Sequence, residues 1–187
     1  MSIDVPDIDI PTDRDTIVRA IAQVTDRGAE FWSAFDTQAF FAPIGEAWSP
    51  ADNVRHLIKS IRPVTKALRM PKLVVRILFG GPRHASRSYD GLREHYLSLV
   101  KGADAGKFAP SRRELPQDRN AYRDDLLRQF TAVNDELSAA VAKWPECALD
   151  RHQLPHPLMG KITVREMLFF TIYHQTHHVA NVVRRRG

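Results

Sequence analysis

Four long segments of the chain repeat apolar residues at spacings of three and four, and this periodicity constrains the fold more than any other feature. The segments cover residues 12–35, 49–70, 118–144 and 163–186. Such spacing gathers the apolar side chains of a helix onto one face. No segment alternates convincingly between apolar and polar residues, as a half-buried strand would. The sequence therefore predicts an all-α fold, a four-helix bundle.

The starts of these helices carry capping signals. Thr12 or Asp13 is the predicted N-cap of the first helix, and Ser49 of the second. Thr163 is followed three residues later by Glu166, which is the spacing of a capping box. These signals indicate where each helix begins.

The second and third predicted helices are separated by an insertion of 47 residues, 71–117. This length is too great for a structureless connection in a compact domain. Residues 73–79 and 89–100 are expected to be ordered, the latter as a helix, while 80–83 and 101–116 are turn-rich. We expect one domain over 1–187, with the insertion covering one end of the bundle as a lid or an extra helix.

Charge and composition narrow the classes of partner. The chain has 187 residues, a formal net charge of +5 and a pI of about 9.6. Its basic residues are scattered rather than interleaved with aromatic residues, so no nucleic-acid partner is expected. No apolar run reaches the length of about 18 residues that a membrane span needs, so no membrane partner is expected. The single Cys147 and the lack of a signal peptide favour the cytoplasm.

Three of the eight histidines lie within five positions of the last predicted helix. His174 and His178 are four residues apart, which places them on one helical face with Cβ atoms about 5–6 Å apart. Both project inward, beside Thr171 and the apolar stripe, whereas His177 projects toward the rim. Two inward imidazoles need a group that accepts their lone pairs, and a divalent cation does so at about 2.0–2.1 Å for zinc.

A third ligand has to come from another helix, and His56 in the second predicted helix is the best candidate. A helical projection places it at the edge of the buried face, in the polar company of Asn53 and Ser60. Asp52, one turn earlier, is a candidate to orient this ring or another ligand from behind.

Spacing alone leaves two interpretations of these histidines open. A pair four residues apart is common on amphipathic helices, and an inward histidine is usually a satisfied core residue. Three histidines without a fourth protein ligand would instead leave a coordination position for water or substrate. That arrangement is typical of catalytic rather than structural zinc sites.

Two longer stretches resemble the DinB-like superfamily. AWSPADNVRHLIKSI (47–61) is similar to its second-helix motif, in which a tryptophan and a helix start precede a His-Leu pair. LPHPLMGKITVREMLFFTIYHQTHHVANVVRRR (154–186) resembles its C-terminal motif. That motif is a His-Pro and Gly turn, a Thr-capped helix, a histidine and then a His-His pair. With the order of the helices, the resemblance covers nearly the whole chain except 71–117.

The resemblance implies an up-down-down-up four-helix bundle with a long crossover. It also implies one divalent metal, often nickel or zinc, bound by a histidine of the second helix and by the first and last histidines of the C-terminal motif. In this sequence the matching residues are His56, His174 and His178. All three agree with the motif in type and spacing.

Function is less constrained, because one fold serves many activities. Members of the family include thiol-dependent transferases and isomerases. The resemblance implies a metal-dependent enzyme that activates a low-molecular-weight thiol or water for attack on a small electrophilic substrate. The alternative is a non-enzymatic stress or sensor protein whose metal is structural. A homodimer is compatible with such bundles, although the sequence identifies no clear exposed apolar stripe for one.

Overall fold

The computed structural model describes residues 8–101 and 115–186. This part of the chain forms eight helices and one two-stranded antiparallel sheet. The helices are α1 Arg14–Ser33, α2 Thr37–Phe41, α3 Pro50–Arg69, α4 Lys72–Phe79, α5 Tyr89–Val100, α6 Arg119–Ala142, α7 Glu146–Leu149 and α8 Val164–Arg186. The strands are β1 Gln153–His156 and β2 Gly160–Thr163. The four predicted long helices are α1, α3, α6 and α8.

The directions of the four long helices follow from the side chains that join them. Arg62 of α3 donates to Gln129 of α6, and two turns later along both helices Arg69 pairs with Glu136. Contacts that advance together along both helices mean that α3 and α6 are parallel. The guanidinium of Arg123, near the start of α6, donates instead to carbonyls at the end of α1. Therefore α1 and α6 are antiparallel.

The last helix runs in the same direction as the first. Arg165, at the start of α8, donates to the carbonyl of Thr12, while Arg186 at its end lies over the ring of Phe35. Helix α3 is antiparallel to α8, because Asn53 contacts His178 whereas His56, later in α3, contacts His174, earlier in α8. The order is up-down-down-up with a long crossover between α3 and α6, which confirms the predicted all-α bundle.

The bundle closes around large apolar side chains from all of the long helices. Trp32, Phe130 and Trp144 are among the largest fully buried residues. The indole N–H of Trp144 donates to the carbonyl of Leu68 at 2.9 Å, which satisfies a buried donor and joins the ends of α3 and α6. Helices α3 and α8, which carry the histidines, both pack on this core, and this packing fixes their relative position.

The helix starts follow the capping signals. Asp13 is the N-cap of α1, and its side chain accepts from the backbone N–H of Thr16. Ser49 forms a capping box at the start of α3. Thr163 and Glu166 exchange reciprocal hydrogen bonds of 3.1 and 2.9 Å at the start of α8. Each predicted cap satisfies backbone donors that the first helical turn leaves unpaired.

The β1–β2 hairpin corrects the expectation that the chain contains no strand. Its register pairs Gln153 with Thr163 and His156 with Gly160, across a loop of Pro157, Leu158 and Met159. Gly160 has a positive φ of 70°, which suits glycine at the end of such a loop. Two strands of four residues are too short to show a periodic pattern in sequence.

The insertion contains two helices, α4 and α5. Helix α5 has the predicted bounds, and it packs along α8, where Tyr89 contacts Phe169 and Tyr96 contacts Phe170. Helix α4 was expected to be ordered without a type being assigned. Residues 102–114, most of the predicted turn-rich stretch 101–116, lie outside the described residues.

Candidate metal centre

Three imidazoles converge where the first half of α3 faces the second half of α8. His174 Nε2 lies 3.2 Å from His56 Nε2 and 3.0 Å from His178 Nε2. One ligand atom of each residue lies within 4.8 Å of the others. His174 and His178 are buried, with 6% and 8% exposure, and His56 is partly buried. The structure therefore brings together the three histidines that the sequence singled out as ligands.

The spacing of these nitrogens fits one small cation. Two nitrogens bound to the same ion at about 2.0–2.1 Å lie about 3.0 Å apart at a right angle and about 3.4 Å apart at the tetrahedral angle. The observed separations of 3.0 and 3.2 Å fall within this range. Without a cation, His174 Nε2 has a single proton or lone pair to share between two nitrogens. The donor set thus fits a divalent metal with imidazole ligands.

Asn53 determines which nitrogen of His178 faces the cluster. The amide N–H₂ of Asn53 donates to the carbonyl of Ser49 at 2.9 Å, so its oxygen points the other way. That oxygen accepts from His178 Nδ1 at 2.6 Å. The proton of His178 is therefore on Nδ1, and Nε2 presents a lone pair to the other two rings. A ligand oriented in this way by a neighbouring acceptor is typical of metal sites.

The surroundings keep two of the rings uncharged. Burial lowers the pKa of His174 well below its ordinary value of 6.5, and the nearby His178 and His56 lower it further. Burial likewise lowers the pKa of His178, with smaller contributions from His56 and His177. Neutral imidazole is the form that coordinates a metal. At neutral pH both residues are ready to act as ligands without losing a proton.

Aromatic rings wall the cluster on two sides. Trp48 stacks against His178 with ring centres 5.9 Å apart and leans against His56 at 5.1 Å. Phe170 stacks on His174 at 4.8 Å. Trp48 therefore lies at the cluster itself, in contact with two of its three rings. Rings packed in this way restrict how the imidazoles can turn.

The other residues predicted for the pocket have local partners. The carboxylate of Asp52 bonds to Ser49 in the α3 capping box and forms an ion pair with Arg55. The hydroxyl of Ser60 donates to the carbonyl of Leu57, and that of Thr171 to the carbonyl of Met167. Hydroxyls bonded to the preceding helical turn are typical of serine and threonine in helices.

His177 belongs to a separate set of hydrogen bonds beside the three-histidine cluster. Its Nδ1 lies 3.3 Å from the hydroxyl of Tyr173, and its Nε2 lies 3.0 Å from the amide nitrogen of Asn181. Burial lowers its pKa as well. The helical projection placed His177 toward the rim, and it does not join the cluster.

Sequence reasoning did not identify the aromatic residues of the insertion as neighbours of the site. Tyr96 of α5 has its ring 6.1 Å from that of His177 and 5.0 Å from that of Phe170. Tyr89 and Tyr96, one above the other at a spacing of seven, are the signal that was available. The insertion thereby supplies part of the site's surroundings.

Comparison with known proteins agrees with this architecture. The sequence matches the DinB superfamily over residues 20–182. It is similar to the uncharacterized protein YuaE of Bacillus subtilis strain 168, with 25% identity over 140 residues that cover 75% of this chain and 78% of that protein. Its fold is similar to that of YfiT from Bacillus subtilis, described as a probable metal-dependent hydrolase with an unusual four-helix bundle topology. The TM-score is 0.52 at 15% identity, covering 100% of this chain and 99% of that one. The chain therefore belongs to the DinB superfamily.

Proposed function

We propose that this protein is a divalent-metal-dependent enzyme that activates water or a small thiol for attack on a small electrophilic substrate. His56, His174 and His178 hold the ion, and nickel or zinc suits their imidazole nitrogens. A divalent cation lowers the pKa of water or of a thiol, and so supplies hydroxide or thiolate at neutral pH. The similarity in fold to a protein described as a probable metal-dependent hydrolase supports this proposal.

The observation that carries the proposal is the incomplete ligand set. Among the described residues, no fourth histidine, cysteine or carboxylate joins the cluster. Structural zinc sites are usually closed by four protein ligands, whereas catalytic sites keep a position for water or substrate. The chain's own residues hold the three rings in place: Asn53 fixes the tautomer of His178, Phe170 stacks on His174, and Trp48 contacts His56.

The first experiment tests metal binding. Protein purified without a metal-affinity column is analysed for metal content, and His174→Ala and His178→Ala are each expected to lose the bound ion. His177→Ala is the matched control, since this histidine lies beside His178 but bonds to Tyr173 and Asn181 instead. Full metal content in His174→Ala would refute the ligand assignment.

The second experiment tests catalysis and separates the two nucleophiles. Metal-free protein is reloaded with nickel or zinc and assayed on activated esters and on alkylating electrophiles, each with and without a low-molecular-weight thiol. Turnover of esters without thiol supports hydrolysis, and turnover that requires the thiol supports transfer. If the metal raises the melting temperature but no electrophile is consumed under either condition, the ion is structural and the enzymatic proposal is wrong.

A further inference from the structure

Helix α4 carries a row of apolar side chains that face away from the bundle. Leu73 and Ile77 are 70% and 72% exposed, and Leu78 and Val74 are 57% and 38% exposed. These four residues, the α4 apolar face, recur at spacings of one, three and four, so they form one stripe on two helical turns. They are four of the six large exposed hydrophobic residues in the described parts of the chain.

The bundle holds α4 by its opposite side and by its end. Val75 is the fully buried residue of the helix. The carbonyl of Phe79 accepts from Gln153 at 2.6 Å and from the ammonium of Lys161 at 2.8 Å, which ties the end of α4 to the β-hairpin. The orientation of the helix is thus set by these contacts, and they leave the α4 apolar face pointing outward.

Positive charge lies along one side of this face. Of the two ionisable residues of α4, Lys72 lies over the buried ring of Trp144, on the bundle side of the helix, whereas Arg76 flanks the face and donates to the carbonyl of Arg151 at 2.9 Å. Arg76 also lines a pocket of about 440 Å³ together with Arg83, Arg151 and His84. The acidic residue of that pocket, Asp150, is engaged by Arg165 through two hydrogen bonds of 2.7 and 2.8 Å and also accepts from Ser86. The pocket beside α4 is therefore cationic.

We propose that α4 docks this protein onto an anionic lipid surface. The α4 apolar face would enter the boundary between headgroups and acyl chains, and Arg76, Arg83 and Arg151 would contact the lipid phosphates. A short amphipathic helix with exposed leucine and isoleucine on one face and basic residues beside it is the pattern of interfacial binding. The four leucine, isoleucine and valine side chains favour a bilayer over a nucleic acid, whose phosphate backbone offers them no apolar surface.

A second copy of the chain fits the α4 apolar face less well. Two α4 helices packed together would bring Arg76 of each copy close to that of the other, with no acidic residue on the helix to pair with it. Four side chains are also far fewer than the roughly 20–30 residues that each partner contributes to a standard interface. An anionic bilayer would attract the cations beside α4, and it can bind a helix that exposes only a small apolar area.

Docking through α4 would leave the metal centre accessible. His56 and the end of α3 at Arg69 are thirteen residues apart, about 20 Å along the helix at 1.5 Å per residue, and α4 follows directly.

Interfacial docking differs from the expectation of no membrane partner, which rested on the lack of a spanning segment. No helix in residues 8–101 or 115–186 is long and apolar enough to cross a bilayer, but a helix that lies in the interface needs only one apolar face.

Co-sedimentation with lipid vesicles tests the proposal. The full chain is expected to bind vesicles of phosphatidylcholine that contain about a third phosphatidylglycerol, and to bind vesicles of phosphatidylcholine alone at least about tenfold more weakly. Binding to the anionic vesicles should weaken as sodium chloride is raised from about 0.1 to 0.5 M, because salt screens surface charge. Absence of binding to anionic vesicles would overturn the proposal.

Two matched variants locate the contact. Ile77→Asp places a charge in the α4 apolar face and is expected to reduce binding about tenfold or more, while Ile10→Asp makes the same change at an isoleucine that is 58% exposed outside α4. Circular dichroism and the melting temperature check that both variants fold. Equal binding by Ile77→Asp and wild type, or equal loss in both variants, would refute docking through α4. Dimerisation of wild type that Ile77→Asp abolishes, without vesicle binding, would assign the face to a second copy.

Discussion

Among single residues, Asn53 has the clearest task at the candidate metal centre. It is 5% exposed, and its amide is held by the carbonyl of Ser49 on one side and by His178 Nδ1 on the other. Because this hydrogen bond keeps the proton on Nδ1, it leaves the lone pair on Nε2, the nitrogen of His178 that faces the cluster. Asn53 is thus expected to act on metal affinity without touching the ion.

Replacement of Asn53 by alanine is expected to weaken metal binding about 10- to 100-fold, because His178 loses the acceptor that keeps its proton on Nδ1. Competition with a chromophoric chelator measures this change. Ser60→Ala is the control, since its hydroxyl bonds to the carbonyl of Leu57 on the same helix. If Asn53→Ala binds the metal as tightly as wild type, the hydrogen bond does not orient the ligand.

His156 should make stability depend on pH. It is 7% exposed, lies against Phe170 and Tyr96, and its Nδ1 accepts from the backbone N–H groups of Leu158 and Met159 at 3.1 Å. Burial lowers its pKa to about 4 from an ordinary 6.5. The unfolded chain therefore binds this proton more readily, so the stabilisation is complete above pH 6.5 and is lost as the pH falls toward 4.

The expected loss attributable to His156 is about 2 kcal/mol between pH 7 and pH 5, since one pKa unit corresponds to about 1.4 kcal/mol. Urea unfolding of metal-free wild type and of His156→Ala at both pH values measures it. The variant should be less stable at pH 7, and the difference between the two proteins should shrink by this amount at pH 5. A constant difference would contradict the assignment of the pH dependence to His156.

At the scale of the helices, α1 packs closely against α6 at Gly28. A Cβ atom on this residue would lie 2.9 Å from Cζ of Phe130, and the ring of Phe130 is fully buried. Gly28 lies on the buried face of α1. Its place there reflects close packing, because a larger residue would push a core ring out of position.

Gly28→Leu is expected to destabilise the protein by about 3 kcal/mol through overpacking against Phe130. Denaturant unfolding measures the change. Ala22→Leu is the matched control on the exposed side of α1, and it should change stability by less than about 0.5 kcal/mol. Comparable stability of the two variants would mean that α1 and α6 are not in contact at this point.

Across the molecule, one ion pair joins the insertion to the last helix. Arg87 donates to Oε1 of Glu166 through its guanidinium at 2.7 Å and through its backbone N–H at 3.1 Å. The side chain of Glu166 is 0% exposed, while that of Arg87 is 35% exposed. Because Glu166 also accepts from the N–H of Thr163, one carboxylate connects the segment before α5 to the cap of α8.

Arg87→Ala is expected to cost about 3 kcal/mol of unfolding free energy, since it leaves a buried carboxylate without its cation. Arg128→Ala provides the comparison, because its partner Asp125 is 45% exposed and such surface pairs contribute less than about 1 kcal/mol. Chemical denaturation of both variants distinguishes them. A loss in Arg87→Ala no larger than in Arg128→Ala would show that the pair does not anchor the insertion.

Much of the secondary structure of this protein can be predicted from local sequence patterns. The spacing of apolar residues and the caps at Asp13, Ser49 and Thr163 predict the four long helices, because helix periodicity and capping depend on residues within one or two turns. The i,i+4 spacing of His174 and His178 likewise predicts that they share a face. The short hairpin was not predicted, because strands of four residues show no repeating sequence pattern and are stabilised by pairing with each other across the loop.

Other features arise only when distant segments meet. The acceptor for His178 is 125 positions away at Asn53, and Arg76 and Arg151, far apart in the chain, line one pocket. The periodicity of LVVRILF is equally compatible with a covered and an uncovered helix, and packing through Val75 leaves its apolar face outward. Amino-acid order alone therefore specified the four long helices and the spacing of the candidate ligands on the last of them. The assembly of the bundle established the tautomer, the aromatic walls and the exposed surface, because these depend on contacts between helices rather than within them.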